Sequence, residues 1–167
     1  STPRDAYGLM GTALTTPGVT LFFEDRMIRD DSFPLAEDTR INSGTYIPFG
    51  TCLWRVKGQR GVCTIVTYGL MRHVAERVLA GWDKKFNPDP DGNLGADLID
   101  LRTIYPMDIG YIKKLLERTG RLLIVEPDVK YGGVGAELAA TVAEQMPGVR
   151  IKRLGAPRAT IPASLYL

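Results

Sequence analysis

Gly132, Gly133 and Gly135 follow the apolar run Leu122–Val125 and lie around the start of a helical stripe beginning at Val134. Glycines between a strand and a helix are the setting of a phosphate-binding turn, where amides at a helix N-terminus hold an anion. The dinucleotide template G-x-G-x-x-G needs a third glycine where this chain has Leu138. The strand is also third in its sheet, and the only acid at ribose-binding distance, Glu144, lies inside a helix. The spacing therefore predicts a close-packed turn rather than a nucleotide site. An anion at the Val134 helix N-terminus is the alternative.

Other reactive side chains are scattered. His73, the single histidine, falls between the apolar positions Met71 and Val74 with no G-x-S-x-G motif to make a triad, and reads as a packing or interface residue. "NPDPDGNLG" (Asn87–Gly95) resembles a calcium loop in composition, but Leu94 stands where the sixth-position glycine belongs, so it reads as a surface loop. Glu24, Asp25, Arg26 and Arg29 form a charged cluster of the kind found solvated or paired at an interface. Cys52 and Cys63 have no CxxC partner and read as two buried, reduced thiols, which fits a cytoplasmic compartment. No metal set and no catalytic residue emerge.

The elements that must position these residues alternate. Thr2 suits an N-cap, Pro3 a first helical position and Asp5 the positive helix end, which starts a helix over Ser1–Leu14. Val19–Phe23 is expected to be a short buried strand, and 30–46 a linker. Val62–Tyr68, Ala96–Leu101, Arg121–Val125 and Val149–Leu154 then read as strands. Between them lie three helical stripes: Leu70, Met71, Val74, Ala75, Val78 and Leu79; Ile109, Ile112, Leu115 and Leu116 behind an Asp108 cap; and Val134, Leu138, Val142 and Met146, ended by Pro147–Gly148. The alternation predicts an α/β domain, a mostly parallel sheet in three layers, preceded by a helix–strand remnant unable to bury its own apolar face.

The chain has 167 residues, long enough for one good core, and a formal net charge of +2 spread without basic blocks, which disfavours nucleic acid. No apolar stretch approaches the roughly 18–20 residues of a membrane span. "STPRDAYG" lacks the charged and apolar regions of a signal peptide.

Six segments together resemble a known family. "STPRDAYGLMGTAL", "VTLFFEDRMIR", "IVTYGLMRHVAE", "LIDLRTIYPMD", "TGRLLIVEPDVKYGGVGAELAA" and "APRATIPAS" are similar, in order, to β subunits of the 2-oxoacid dehydrogenase decarboxylating component. Pyruvate, branched-chain 2-oxoacid and acetoin dehydrogenases share the pattern. The resemblance implies the C-terminal portion of such a subunit: the end of a pyrimidine-binding domain at 1–29, a linker at 30–46, and a transketolase C-terminal-like domain at 47–167. It implies thiamine diphosphate and Mg2+ in the complete enzyme, with none on this chain, because the activating glutamate lies upstream of the segment matching Ser1. It implies an α subunit, a second β subunit and a dihydrolipoyl acyltransferase core as partners, in the cytoplasm or, in a eukaryote, the mitochondrial matrix. Contact surfaces are expected around Leu70 and His73, and around Tyr131, Gly132, Gly133, Gly135 and Glu137. The stretch 82–95 is longer than is usual in that family, and relatives continue past the residues matching "IPASLYL". The alternatives are the tail of a transketolase or 1-deoxyxylulose-phosphate synthase, and a stand-alone regulatory module binding an anion.

Overall fold

The computed structural model describes residues 2–25, 28, 46–58, 61–86 and 95–159. The first helix, α1 (Pro3–Thr15), starts as its sequence dictates. The Thr2 hydroxyl accepts from the Asp5 amide at 3.1 Å and the Asp5 carboxylate accepts from the Thr2 amide at 3.2 Å. Two otherwise orphaned helix-end donors are thereby satisfied.

The rest is a doubly wound domain: β1 (Leu53–Val56), β2 (Cys63–Thr67), α2 (Leu70–Phe86), β3 (Ala96–Asp100), α3 (Ile109–Thr119), β4 (Arg121–Val129), α4 (Val134–Gln145) and β5 (Arg150–Ala156). The sheet order is β1-β3-β2-β4-β5. β2, β3, β4 and β5 run parallel, since a helix separates each from the next. β1 joins antiparallel to β3, with a register shift between Trp54 and Val56. "LWRV" gives no warning of this strand, because four half-buried residues containing an arginine carry neither an apolar run nor an alternation.

Successive strand residues face opposite layers. Val66, Ile99, Leu122 and Ile124 pack with Ile112, Leu115 and Leu116 of α3 and Leu138 and Val142 of α4. Ile65, Ala96 and Leu98 face the other way, onto Ala75 and Leu79 of α2. Each fully buried Leu, Ile or Val contributes about 1.5–3 kcal/mol by leaving water. Asp108 caps α3 by accepting from the Tyr111 amide at 3.1 Å, and Gly120 closes that helix in the left-handed region.

One expected element is corrected. Val19–Phe23 is neither a strand nor buried: Val19, Leu21 and Phe23 are 95%, 76% and 81% exposed. Its alternation is that of a strand, but no strand among the described residues pairs with it, and extended backbone without a ladder partner is not a sheet. The linker lies outside the described residues up to 45, as does the loop at 87–94. Ile47 is buried against α1. Its amide donates to the Gly8 carbonyl at 3.1 Å, and its own carbonyl accepts from the Thr12 hydroxyl at 2.8 Å.

Candidate functional site

In a doubly wound sheet, ligands bind beyond the carboxyl ends of the strands, where neighbouring connections diverge. Here that place lies between β2, which leads into α2 on one face, and β4, which leads into α4 on the other.

Glu126 of β4 is almost completely buried. Its carboxylate accepts from the Gly135 amide at 2.8 Å and from the Arg153 guanidinium at 2.9 Å. A Cβ on Gly133 would stand 2.7 Å from one of its oxygens, and a Cβ on Gly135 2.6 Å from the other. The glycines are therefore small so that a strand carboxylate can reach the amides at the start of α4. Gly133, the N-cap, supplies no side chain of its own. The anion on this helix N-terminus is Glu126.

The start of α2 has an equivalent arrangement. Asp25, from the N-terminal segment, accepts from the Leu70 amide at 3.3 Å. Beneath that turn lies a buried ionic chain. Arg72 bridges Glu76 and Asp100, whose carboxylate lies 3.9 Å from the Arg72 Nε, and Arg55 of β1 reaches Glu76 at 3.0 Å. His73 places Nε2 at 2.8 Å from an Arg72 nitrogen. Guanidinium only donates, so Nε2 accepts and the ring proton sits on Nδ1. Across the β2–β4 crevice, the Tyr68 hydroxyl donates to Asp128 at 2.8 Å. Burial, then that hydrogen bond and the Asp128 charge, push the phenol well above its ordinary range. It is a poor proton donor.

Leu70 and His73 lie half-buried at the start of α2. Tyr131, Gly132 and Glu137 are exposed around the start of α4, Gly133 is half-buried and Gly135 is buried. The first group follows β2 and the second follows β4, and the helices they start cover opposite faces of the sheet. Glu137 lines a shallow cavity of about 310 Å³ with Ile104, Tyr105, Pro106, Met107 and Thr141, beside a Tyr105 that is 93% exposed. Asp25 of the charged cluster caps α2, Glu24 is exposed, and Arg26 and Arg29 lie outside the described residues. Sequence reasoning missed Glu126, Arg72, Asp97 and Arg102. The available signal was a charge inside an apolar strand or stripe, which must be paired to be buried there.

Both cysteines are free, as expected, but half-buried rather than buried: Cys52 precedes the edge strand β1, and Cys63 is the first residue of β2. Burial, then the Asp108 charge and hydrogen bond, push the Cys52 thiol up to about 12, and burial with Asp97 raises Cys63. In a Cys63→Ala chain, iodoacetamide at pH 8 is expected to alkylate Cys52 at least ~100-fold more slowly than after unfolding in urea. Equal rates would show that the thiolate is not suppressed.

Among the described residues no group of three or more His, Cys, Asp or Glu side chains could hold a metal ion, and no helix is long and apolar enough to cross a membrane. Comparison with known proteins adds an independent line. Residues 53–166 match the family described as "Transketolase, C-terminal domain". The chain is 33% identical over 169 residues to 2-oxoisovalerate dehydrogenase subunit beta of Bacillus subtilis (strain 168), covering 99% of this chain and 47% of that one. It is 31% identical to pyruvate dehydrogenase E1 component subunit beta of Rickettsia bellii, covering 85% and 39%. It is 30% identical to acetoin:2,6-dichlorophenolindophenol oxidoreductase subunit beta of Cupriavidus necator, covering 98% and 45%. Among solved structures, a split gene transketolase described as an inactive beta4 tetramer superposes with a TM-score of 0.58 at 20% identity, over 71% of this chain and 36% of that one. That likeness concerns the fold. The chain spans less than half the length of these relatives.

Proposed function

Since the chain belongs to the transketolase C-terminal domain family, we propose that it is the C-terminal part of a thiamine-dependent 2-oxoacid dehydrogenase β subunit, serving assembly rather than chemistry. One observation carries this reading. An N-terminal segment with Val19, Leu21 and Phe23 turned to solvent is held by Asp25 on the start of α2, and the start of α4 is taken by the chain's own Glu126. Such a segment suits a sheet that it would complete, and that helix start has its anion already. The relatives' names support the choice of enzyme class, with 2-oxoisovalerate, pyruvate and acetoin enzymes all represented.

Thiamine diphosphate with Mg2+ does not fit the residues described. The best anion-binding helix end, that of α4, is occupied by Glu126, and no carboxylate set is arranged for a cation. No catalytic step is derived from this chain. The cofactor would belong to the complete enzyme, between an α subunit and the pyrimidine-binding domain of β, with a second β subunit as a further partner and a dihydrolipoyl acyltransferase core receiving the acyl group. Leu70 and His73, and Tyr131 with Glu137, are the proposed contact residues, with Gly132, Gly133 and Gly135 shaping the second surface. Domain limits of 1–29, 30–46 and 47–167 belong to the same proposal. The complete enzyme would work in the cytoplasm, or in a eukaryote in the mitochondrial matrix; the names of the Pisum sativum and Arabidopsis thaliana relatives call those proteins mitochondrial.

Titration calorimetry tests the assignment. The chain alone is expected to give no heat with thiamine diphosphate and Mg2+. Extending it with the upstream half of a β subunit, together with an α subunit, should restore binding and CO2 release from a 2-oxoacid. Saturable binding by the 167-residue chain itself would overturn the assignment. Saturable binding of inorganic phosphate by the same chain would favour an anion-binding module instead.

A further inference from the structure

Arg102 is the one non-glycine residue with positive φ among those described, at 59°. Side chains resist this region because Cβ crowds the backbone, and a non-glycine persists there only when its surroundings hold it. The surroundings are specific. The Arg102 amide donates to Asp100 at 3.3 Å, and Asp100 is fully buried beside Arg72. The guanidinium is thereby sent outward to Asp5, with Nη2 at 2.8 Å from Oδ1. Asp5 is nearly inaccessible, and its other oxygen completes the cap of α1 by accepting from the Thr2 hydroxyl at 2.9 Å. One carboxylate thus both ends a helix and ties it to the loop after β3.

We propose that Arg102 is a positioning residue whose left-handed backbone aims its guanidinium at Asp5, latching α1 and so setting the direction in which the 16–25 segment leaves the domain. Two further contacts make the orientation definite. Ile47 is the pivot: a Cβ on Gly8 would lie 2.7 Å from Ile47 Cγ1, so helix and strut touch backbone to side chain. Asp25 at the start of α2 tethers the far end of the segment. The segment that carries Val19, Leu21 and Phe23 therefore leaves a latched helix at one end and is held by Asp25 at the other. Burial pushes the Asp5 carboxyl upward, and the Arg102 guanidinium, with the Thr2 hydroxyl and Arg55, draws it down.

The latch does not rest on the proposed function. Amide hydrogen exchange on the complete 167-residue chain reads it with no partner or cofactor present. Arg102→Gly suits the left-handed backbone and leaves the α1 cap intact, so a merely structural role predicts unchanged or improved protection everywhere. The latch predicts exchange at least ~10-fold faster at the α1 amides, with β2, β3 and β4 unchanged. Asp5→Asn should do the same, and the double variant should be no faster than the quicker single one. Unchanged α1 exchange in both single variants, protection lost equally throughout the sheet, or additive effects in the double variant would each overturn the proposal. A null calorimetric result with thiamine diphosphate would leave it untouched.

Discussion

Glu126→Ala is expected to destabilise the domain by about 3 kcal/mol, since removing one partner leaves the other's polar groups uncompensated. The carboxylate serves the Gly135 amide and Arg153 at once, and the turn is shaped around it. Without it, the Gly135 amide loses its acceptor beside a cavity walled by Gly133 and Ile124. Arg153 is partly exposed and recovers some hydration, which keeps the loss from being larger. Glu126→Gln, which retains an acceptor oxygen, should cost roughly half as much. Urea unfolding followed by circular dichroism measures both. A loss under about 1 kcal/mol in the alanine variant would mean that water replaces the carboxylate freely, and that the glycines serve another purpose.

Asp97→Ala should cost more, about 4 kcal/mol. This carboxylate is fully buried at the amino half of β3. It accepts from the Trp54 indole at 3.0 Å and the Gly58 amide at 2.9 Å, and it pairs with Arg118. Those donors come from β1, the loop after it and α3, so one side chain ties three elements to the parallel sheet. Arg118 is 39% exposed, and its share is discounted for solvent screening. The indole and amide carry most of the effect. Among the described residues β1 pairs with β3 alone, so Trp54 fluorescence should shift to the red as that edge loosens. An alanine variant with unaltered Trp54 emission and a loss below about 1 kcal/mol would show that β1 is held by its ladder alone.

Each of these carboxylates was visible beforehand as a letter in a strand, yet neither could be given a partner. "RLLIV" and "ADLIDL" reveal buried strands because apolar side chains are driven inward whatever their neighbours are. A buried charge is different: its energy depends on where one other group sits, and for Glu126 and Asp97 that group arrives from another element. The opening glycines illustrate this. Their place between strand and helix predicted a tight turn, and the missing third glycine argued against a nucleotide. What makes the turn tight, a carboxylate two residues past the apolar core of β4, was not readable from spacing.

Local rules settled the remainder. Capping acts over three residues, so Thr2 with Asp5 and Asp108 with Tyr111 announced the starts of α1 and α3. Helical and strand periodicities placed three helices and four of the five strands, and their alternation required a largely parallel sheet. The same chain segments carried the likeness to 2-oxoacid dehydrogenase β subunits. Tertiary structure alone decided that β1 adds an antiparallel edge, that Val19–Phe23 is left without a sheet, and that Arg102 reaches back to Asp5. The reason is one of range. Hydrophobic burial and helix capping are determined by a residue and its near neighbours, whereas strand pairing and ion pairing need a partner that only the fold brings into contact.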